Sequence, residues 1–132
     1  MITLQDVIAS GRKAIDEKRL QLFIEDTGDG KCKYRWGSGH CCIVGSALNE
    51  SQALAGDDIM GSVDKLITEG VIEVPVQDQY PIAWLQGVHD TLFQDEFSVE
   101  LRIQRMKAAL DRVEKSPNDL PYAYGFAYGQ VS

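Results

Sequence analysis

Apolar residues recur at helical spacing near the start of the chain and again after its midpoint. Thr3 followed by Asp6 is typical of a capping box, and the apolar stripe behind it predicts a first helix over residues 4–18. A second long stripe follows Pro81, a residue that favours the first turn of a helix. The pattern therefore predicts a helix that begins near Pro81.

Further helices are predicted on both sides of that stripe. Ser38 is placed to cap a short, buried helix from His40 to Leu48. A second helical stripe runs over residues 58–69, and Ser98 and Pro117 flank a last helix that carries its own apolar stripe. With the two long stripes, about five helices are expected.

The periodicity changes to two after the first helix. Residues 20–24 and 32–36 alternate between inward and outward positions, and a turn rich in Asp and Gly joins them. This pattern predicts a β-hairpin at 20–36, and residues 71–74 resemble a short third strand. The predicted fold class is α+β, with about five helices packed on a small antiparallel sheet built around that hairpin. Residues 1–132 are expected to form a single domain.

The C-terminal tail, residues 116–132, has an aromatic pattern of its own. Four aromatic residues alternate with small ones, at Tyr122, Tyr124, Phe126 and Tyr128. As a strand, this segment would lay one aromatic face on the core, which is the plainer interpretation. The alternatives are a partner or dimer surface, because exposed aromatic stripes mark interaction sites, or a disordered end.

Length and cysteine content restrict the class of protein. The 132 residues fit a single domain, and no run approaches the about 18 apolar residues of a membrane span. The first residues lack the pattern of a signal peptide. The three cysteines are Cys32, Cys41 and Cys42. Their number is odd and two of them are adjacent in sequence, so reduced thiols are expected. We therefore expect a soluble cytoplasmic protein.

Negative charge is concentrated in the middle of the chain. The net charge is −7, and between Trp36 and Phe97 there is one base, Lys65, against ten acids. Such a field repels nucleic acid and favours basic surfaces. The plainer interpretation is a solvated face that keeps the protein soluble.

The segment around Cys41 and Cys42 is the best candidate for catalytic chemistry. A cysteine in the first turn of a helix is stabilised as a thiolate by the helix dipole, and His40 or His89 could act as its base. Asp90 follows His89 directly, but consecutive helical side chains point about 100° apart, so Asp90 is not expected to orient that ring. Burial in the core remains the favoured interpretation of these residues.

A zinc site is a weaker candidate. It would combine Cys32, Cys41 or Cys42 with His40 or His89, but the cysteine spacing matches no finger or ribbon. No phosphate-binding loop and no paired catalytic carboxylates are apparent. No metal and no cofactor are therefore predicted.

Two short motifs resemble those of a known group of proteins. The segment Cys42–Leu48 resembles a C-A-[IV]-G-x-x-L signature, and Leu85–Asp90 matches a later L-Q-x-x-H-D sequence. Both occur in small proteins of bacteriophages and prophages to which no activity is assigned. The resemblance covers about residues 30–95. It implies a phage or prophage origin and names no catalytic or binding residue.

The predicted function combines this resemblance with the charge pattern. We expect an acidic binding protein that inhibits or modulates a nucleic-acid-handling complex of the bacterial host, such as a restriction or CRISPR complex, by protein–protein contact. Direct nucleic-acid or membrane binding is not expected, and a homodimer is an open alternative. The residues assigned to binding are Asp57, Asp58, Asp64, Asp95, Glu96, Tyr122, Tyr124, Phe126 and Tyr128.

Two other functions remain open at this point. The first is a small cysteine-dependent enzyme, with Cys41 or Cys42 as nucleophile and His40 or His89 as base. Such an enzyme should have one thiol that is far more reactive than free cysteine. The second is a structural or assembly accessory of a phage.

Overall fold

The structure is a computed structural model, and it describes residues 1–24, 33–35, 39–59, 61–94 and 97–120. Within these residues the architecture is helical. The α-helices are α1 (Leu4–Asp16), α2 (Glu50–Ile59), α3 (Val63–Thr68), α4 (Val76–Gln94) and α5 (Val99–Lys115), with two 3₁₀ turns at Gln21–Phe23 and Gly45–Ala47.

The predicted α+β fold is wrong, because the described part of the chain contains no sheet. Its β-structure is one isolated parallel bridge between Leu20 and Cys41. The alternation after Leu20 misled the prediction because Gln21, the expected outward residue, is itself fully buried. Its side-chain Nε2 donates to the backbone oxygen of Lys33 at 2.6 Å. The turn of the predicted hairpin lies outside the described residues.

The predicted third strand at 71–74 is also wrong. This segment runs as irregular chain between α3 and α4. The backbone N–H of Ile2 donates to the oxygen of Glu73 at 2.8 Å, so the segment pairs with the chain that leads into α1. Ile72 and Val74 are buried, which accounts for the apolar pattern without a sheet.

The first and last predicted helices are confirmed, together with their caps. The Thr3 hydroxyl accepts from the Asp6 N–H at 3.2 Å, and the Asp6 carboxylate accepts from the Thr3 N–H at 2.9 Å. This reciprocal capping box fixes the start of α1. The Ser98 hydroxyl accepts from the Leu101 N–H at 3.2 Å and starts α5. Both starts depend on contacts within four residues, so the sequence shows them directly.

The middle helices differ from the prediction in their limits. The helix expected over residues 40–48 is absent, because Cys41 is extended in its bridge and only a 3₁₀ turn follows. The stretch predicted at 58–69 is divided between α2 and α3. Helix α4 begins five residues before Pro81, so that proline lies inside the helix. Pro81 is the sixth residue of α4 and lies beyond the first four N–H groups, so it removes the intrahelical hydrogen bond that an N–H at this position would donate to the Gln77 oxygen.

The core forms where α1, α4 and α5 pack on one another. Trp84 is the largest fully buried side chain. A Cβ placed on Gly11 would lie 2.4 Å from Cδ1 of Ile43, so α1 approaches the segment after Cys42 very closely. At the surface, Arg12 of α1 forms ion pairs with Asp111 and Glu114 of α5, at 2.9 and 2.7 Å.

Candidate functional site

Helix α2 carries an exposed stripe of two carboxylates with a leucine between them. Glu50, Leu54 and Asp58 are spaced four residues apart and therefore share one face. All three are exposed, and Leu54 has 64% of its surface accessible. We call these three residues the Leu54 stripe. An open leucine between two acids is a candidate contact surface for another macromolecule.

The start of α2 is fixed by a local cap that aligns the stripe. The Asn49 side-chain oxygen accepts from the Gln52 N–H at 2.8 Å, and the Gln52 side-chain oxygen accepts from the Asn49 N–H at 3.0 Å. Ala53 and Gly56 are buried on the opposite side of the helix. Packing on that side holds the Leu54 stripe toward solvent.

Asp57 and Asp58 were predicted together, but the structure gives them different surroundings. The Asp57 carboxylate accepts from the backbone N–H of Tyr34 at 2.7 Å and from that of Arg35 at 3.3 Å. It is half-buried, whereas Asp58 is exposed. Asp57 therefore anchors the segment 33–35 to α2, and its charge is engaged within the fold. Asp64 of α3 is exposed, like Asp58.

Tyr34 is held between backbone groups on several sides. Its hydroxyl donates to the oxygen of Gly61 at 2.7 Å. A Cβ on Gly45 would lie 1.9 Å from the Tyr34 backbone oxygen, and a Cβ on Gly56 would lie 2.9 Å from the ring. Burial raises the pKa of the Tyr34 phenol well above its ordinary value. The tyrosine is thus a neutral packing group, and the two glycines make room for it.

The two motifs that carried the resemblance meet inside the protein. The side-chain oxygen of Gln86 accepts from the Val44 N–H at 3.1 Å, and its Nε2 donates to Asp90 Oδ1 at 2.8 Å. Gln86 is buried, with 8% of its surface accessible. Gln86 therefore satisfies a buried backbone donor of the first motif and positions a carboxylate of the second. Sequence reasoning had assigned no role to this residue.

His89 lies beside that network and is fully buried. Its Nδ1 is 3.3 Å from Asp90 Oδ1, so the expectation that Asp90 does not orient the ring is wrong. Gln86, one turn earlier, holds the Asp90 carboxylate on the side of the imidazole, which overcomes the angle between consecutive side chains. The His89 Nε2 has no hydrogen-bond partner among the residues that the structure describes, and the ring stacks on Phe93 with centroids 6.4 Å apart.

Cys41 and Cys42 are buried in environments that oppose ionisation. Burial raises the pKa of the Cys41 thiol, and it raises that of Cys42 well above the ordinary value, with the negative charge of Asp90 adding to the effect. The Cys42 sulfur accepts from the Gly45 N–H at 3.3 Å. No α-helix begins at these residues, so the predicted activation by a helix dipole is absent. Neutral thiols in a core are poor nucleophiles.

Several predicted site residues lie outside the described part of the chain. They are Cys32, Asp95, Glu96, Tyr122, Tyr124, Phe126 and Tyr128. His40 is described and is half-buried beside Cys41. Among the described residues, no group of three or more His, Cys, Asp or Glu side chains is placed to hold a metal ion. No helix in the same set is long and apolar enough to cross a membrane.

Comparison with known proteins adds no relative. No family model matches the chain, and no curated protein or solved structure matches it. The resemblance to phage and prophage proteins therefore stays a prediction that depends on the two motifs alone.

Proposed function

We propose that this chain is a non-catalytic binding protein that occupies a basic surface of a partner protein through the Leu54 stripe. One observation carries the proposal: a leucine with 64% of its surface accessible lies one helical turn from a carboxylate on either side. Covering this leucine on binding would contribute about 1.5–3 kcal/mol. The flanking carboxylates select a basic partner and accelerate the encounter.

The proposed partner is a nucleic-acid-handling complex of a bacterial host, including a restriction or CRISPR complex. Two considerations support this choice. The middle of the chain has ten acids against one base, and basic channels that bind nucleic acid are the surfaces such a charge pattern fits. The motif resemblance points to phage or prophage proteins, which can act on host defence. The chain would then compete with nucleic acid for the channel without binding nucleic acid itself.

The binding residues are ranked by their surroundings. Asp58 and Asp64 are exposed and remain in the proposed set, which Glu50 and Leu54 now join. Asp57 is removed from it, because its carboxylate holds the backbone of the segment 33–35. Asp95, Glu96 and the four tail aromatics remain proposals made from the sequence.

The test is affinity capture of tagged protein from a bacterial lysate at low salt, followed by titration of the stoichiometric partner. Replacing Asp58 by Lys should lower the affinity about tenfold, or about 1.4 kcal/mol, and the native affinity should fall as salt rises. Asp16→Lys is the matched control, because it makes the same charge change at an exposed position of α1. Equal affinities of both variants across a salt series would refute the proposal.

The cysteine-enzyme alternative receives no comparable support. It needs a thiolate at neutral pH, whereas burial raises the pKa of both described thiols. The His89–Asp90 contact provides an oriented imidazole, but one that is fully buried and has no access from solvent. A binding protein is therefore the better proposal.

A further inference from the structure

A shallow groove of about 530 Å³ lies between the end of α1, the first 3₁₀ turn and the first half of α5. Phe23, Val99 and Ile103 provide its apolar lining and are half-buried. Lys18 and Lys107 are exposed at its rim. Together they form an apolar strip with cations beside it, on a chain whose net charge is −7.

The geometry of α5 orders these groups along a line. Val99, Ile103 and Lys107 are spaced four residues apart, so they share one face over about 12 Å of helix. Lys18, which also lines the groove, follows α1 in a left-handed conformation, with φ of 57°. Glu100 also lines the groove, which leaves a net charge of +1 from the two lysines and one acid.

The Leu54 stripe has the complementary pattern. Glu50, Leu54 and Asp58 also extend over about 12 Å of one helix face, with the apolar residue central and a net charge of −2. We propose that the groove binds the Leu54 stripe of a second copy of this chain. Leu54 then contacts the strip formed by Phe23, Val99 and Ile103, while the stripe's carboxylates lie near Lys18 and Lys107.

This contact joins two different surfaces, so it is heterologous: one copy keeps its groove free and the other keeps its stripe free. Association therefore continues beyond a dimer unless the rotation closes a ring. We expect a contact between one groove and one three-residue stripe to bury less than about 1,200 Å², the size class of transient interfaces. Self-association covers the stripe that we assign to partner binding and so lowers the concentration of binding-competent protein. The contact between copies does not depend on the identity of that partner.

Sedimentation velocity over a wide range of protein concentration, up to about 1 mM, provides the first test. The weight-average mass should rise with concentration, and Lys107→Glu or Leu54→Lys should each abolish the rise. Both positions are exposed, so the fold is retained. Lys13→Glu and Val76→Lys are matched controls, because they make the same charge changes at exposed positions of α1 and α4 and should leave the rise intact.

Mixing the two disrupted variants provides the second test. Lys107→Glu has lost the groove and keeps the stripe, whereas Leu54→Lys has lost the stripe and keeps the groove. The mixture should form a 1:1 complex that grows no further. The proposal would be overturned if the native chain or the mixture stayed monomeric. It would also be overturned if the control variants lost self-association as completely as Lys107→Glu and Leu54→Lys.

The partner-binding test distinguishes this proposal from the previous one. A monomeric chain whose partner is lost with Leu54→Lys and retained with Lys107→Glu would overturn self-association and leave the proposed function standing. A chain that self-associates but captures no stoichiometric partner would overturn the proposed function and leave self-association standing.

Discussion

The side-chain oxygen of Gln86 accepts a hydrogen bond from the backbone N–H of Val44, although the two residues are 42 positions apart in sequence. The Val44 N–H is buried and has no access to water, so the Gln86 side chain provides the acceptor that it needs. Through its Nε2, the same side chain holds the Asp90 carboxylate. The contact thus joins the segment after Cys42 to the middle of α4.

Replacing Gln86 by Leu should lower the free energy of unfolding by about 1–3 kcal/mol, because the Val44 N–H stays buried without an acceptor. Urea denaturation provides the measurement. Gln77→Leu, at an exposed position of the same helix, should change stability by less than about 0.5 kcal/mol. Equal effects of the two substitutions would show that the Gln86–Val44 hydrogen bond contributes nothing.

Asp57 and Asp58 allow a matched comparison of neighbouring carboxylates. Asp57→Ala should cost about 1–3 kcal/mol of stability, because it removes the acceptor for the Tyr34 and Arg35 N–H groups. Asp58→Ala should be nearly neutral for stability, because that side chain is exposed. Chemical denaturation of both variants measures the difference. Equal stability of the two would contradict the structural role of Asp57.

Gly45→Ala should be strongly destabilising. Its Cβ would meet the backbone oxygen of Tyr34 at 1.9 Å, and that backbone is fixed by Asp57. Overpacking of this kind costs about 1–3 kcal/mol or more. Gly56→Ala should cost less, because its added methyl meets the Tyr34 ring at 2.9 Å and alanine favours the helix. Thermal melts of the two variants would rank them, and the reverse order would contradict the close backbone contact.

The two described thiols should resist alkylation in the native protein. In a Cys32→Ser background, only Cys41 and Cys42 can react, and burial raises the pKa of both. The thiolate fraction at neutral pH is therefore below that of free cysteine, and iodoacetamide labelling should accompany unfolding. Mass spectrometry after timed labelling measures this rate. Native-state labelling faster than that of a free thiol would revive the cysteine-enzyme alternative.

The same pKa shifts predict the response of stability to alkaline pH. A thiol whose pKa is raised in the folded state retains its proton there while the unfolded chain ionises near pH 8.5. The contribution to stability is complete below that pH and is lost as the pH rises toward the folded-state pKa. Cys42→Ala should reduce this alkaline loss in urea titrations. An unchanged slope would show that the Cys42 thiol does not couple to folding.

The parts of the fold that the sequence predicted correctly are those fixed by nearby residues. The capping box of α1 and the Ser98 cap of α5 each involve residues three positions apart. A few consecutive residues are therefore enough to predict where each of these helices begins. The sheet was mispredicted because Gln21 alternates with two leucines as an outward strand residue would, and only its bond to the Lys33 backbone explains its burial.

The candidate site was predictable to a smaller extent. The spacing of Glu50, Leu54 and Asp58 was visible in the sequence. Whether that face points to solvent depends on how Ala53 and Gly56 pack, and the local sequence pattern does not predict this packing. Likewise, Asp57 and Asp58 look equivalent in sequence. Only the path of the segment 33–35 separates a structural carboxylate from an exposed one.

The packing of α1 against α4 and α5 also determines when the chain can finish folding in a cell. The Arg12 guanidinium reaches Asp111 across 99 residues, so these partners leave the ribosome well after the first helix does. Chains are synthesised at about 5–20 residues per second, so the apolar side of α1 stays exposed for seconds before α5 can pack on it. During this interval the nascent chain is a substrate for chaperones, and a translational pause before α5 would prolong its exposure.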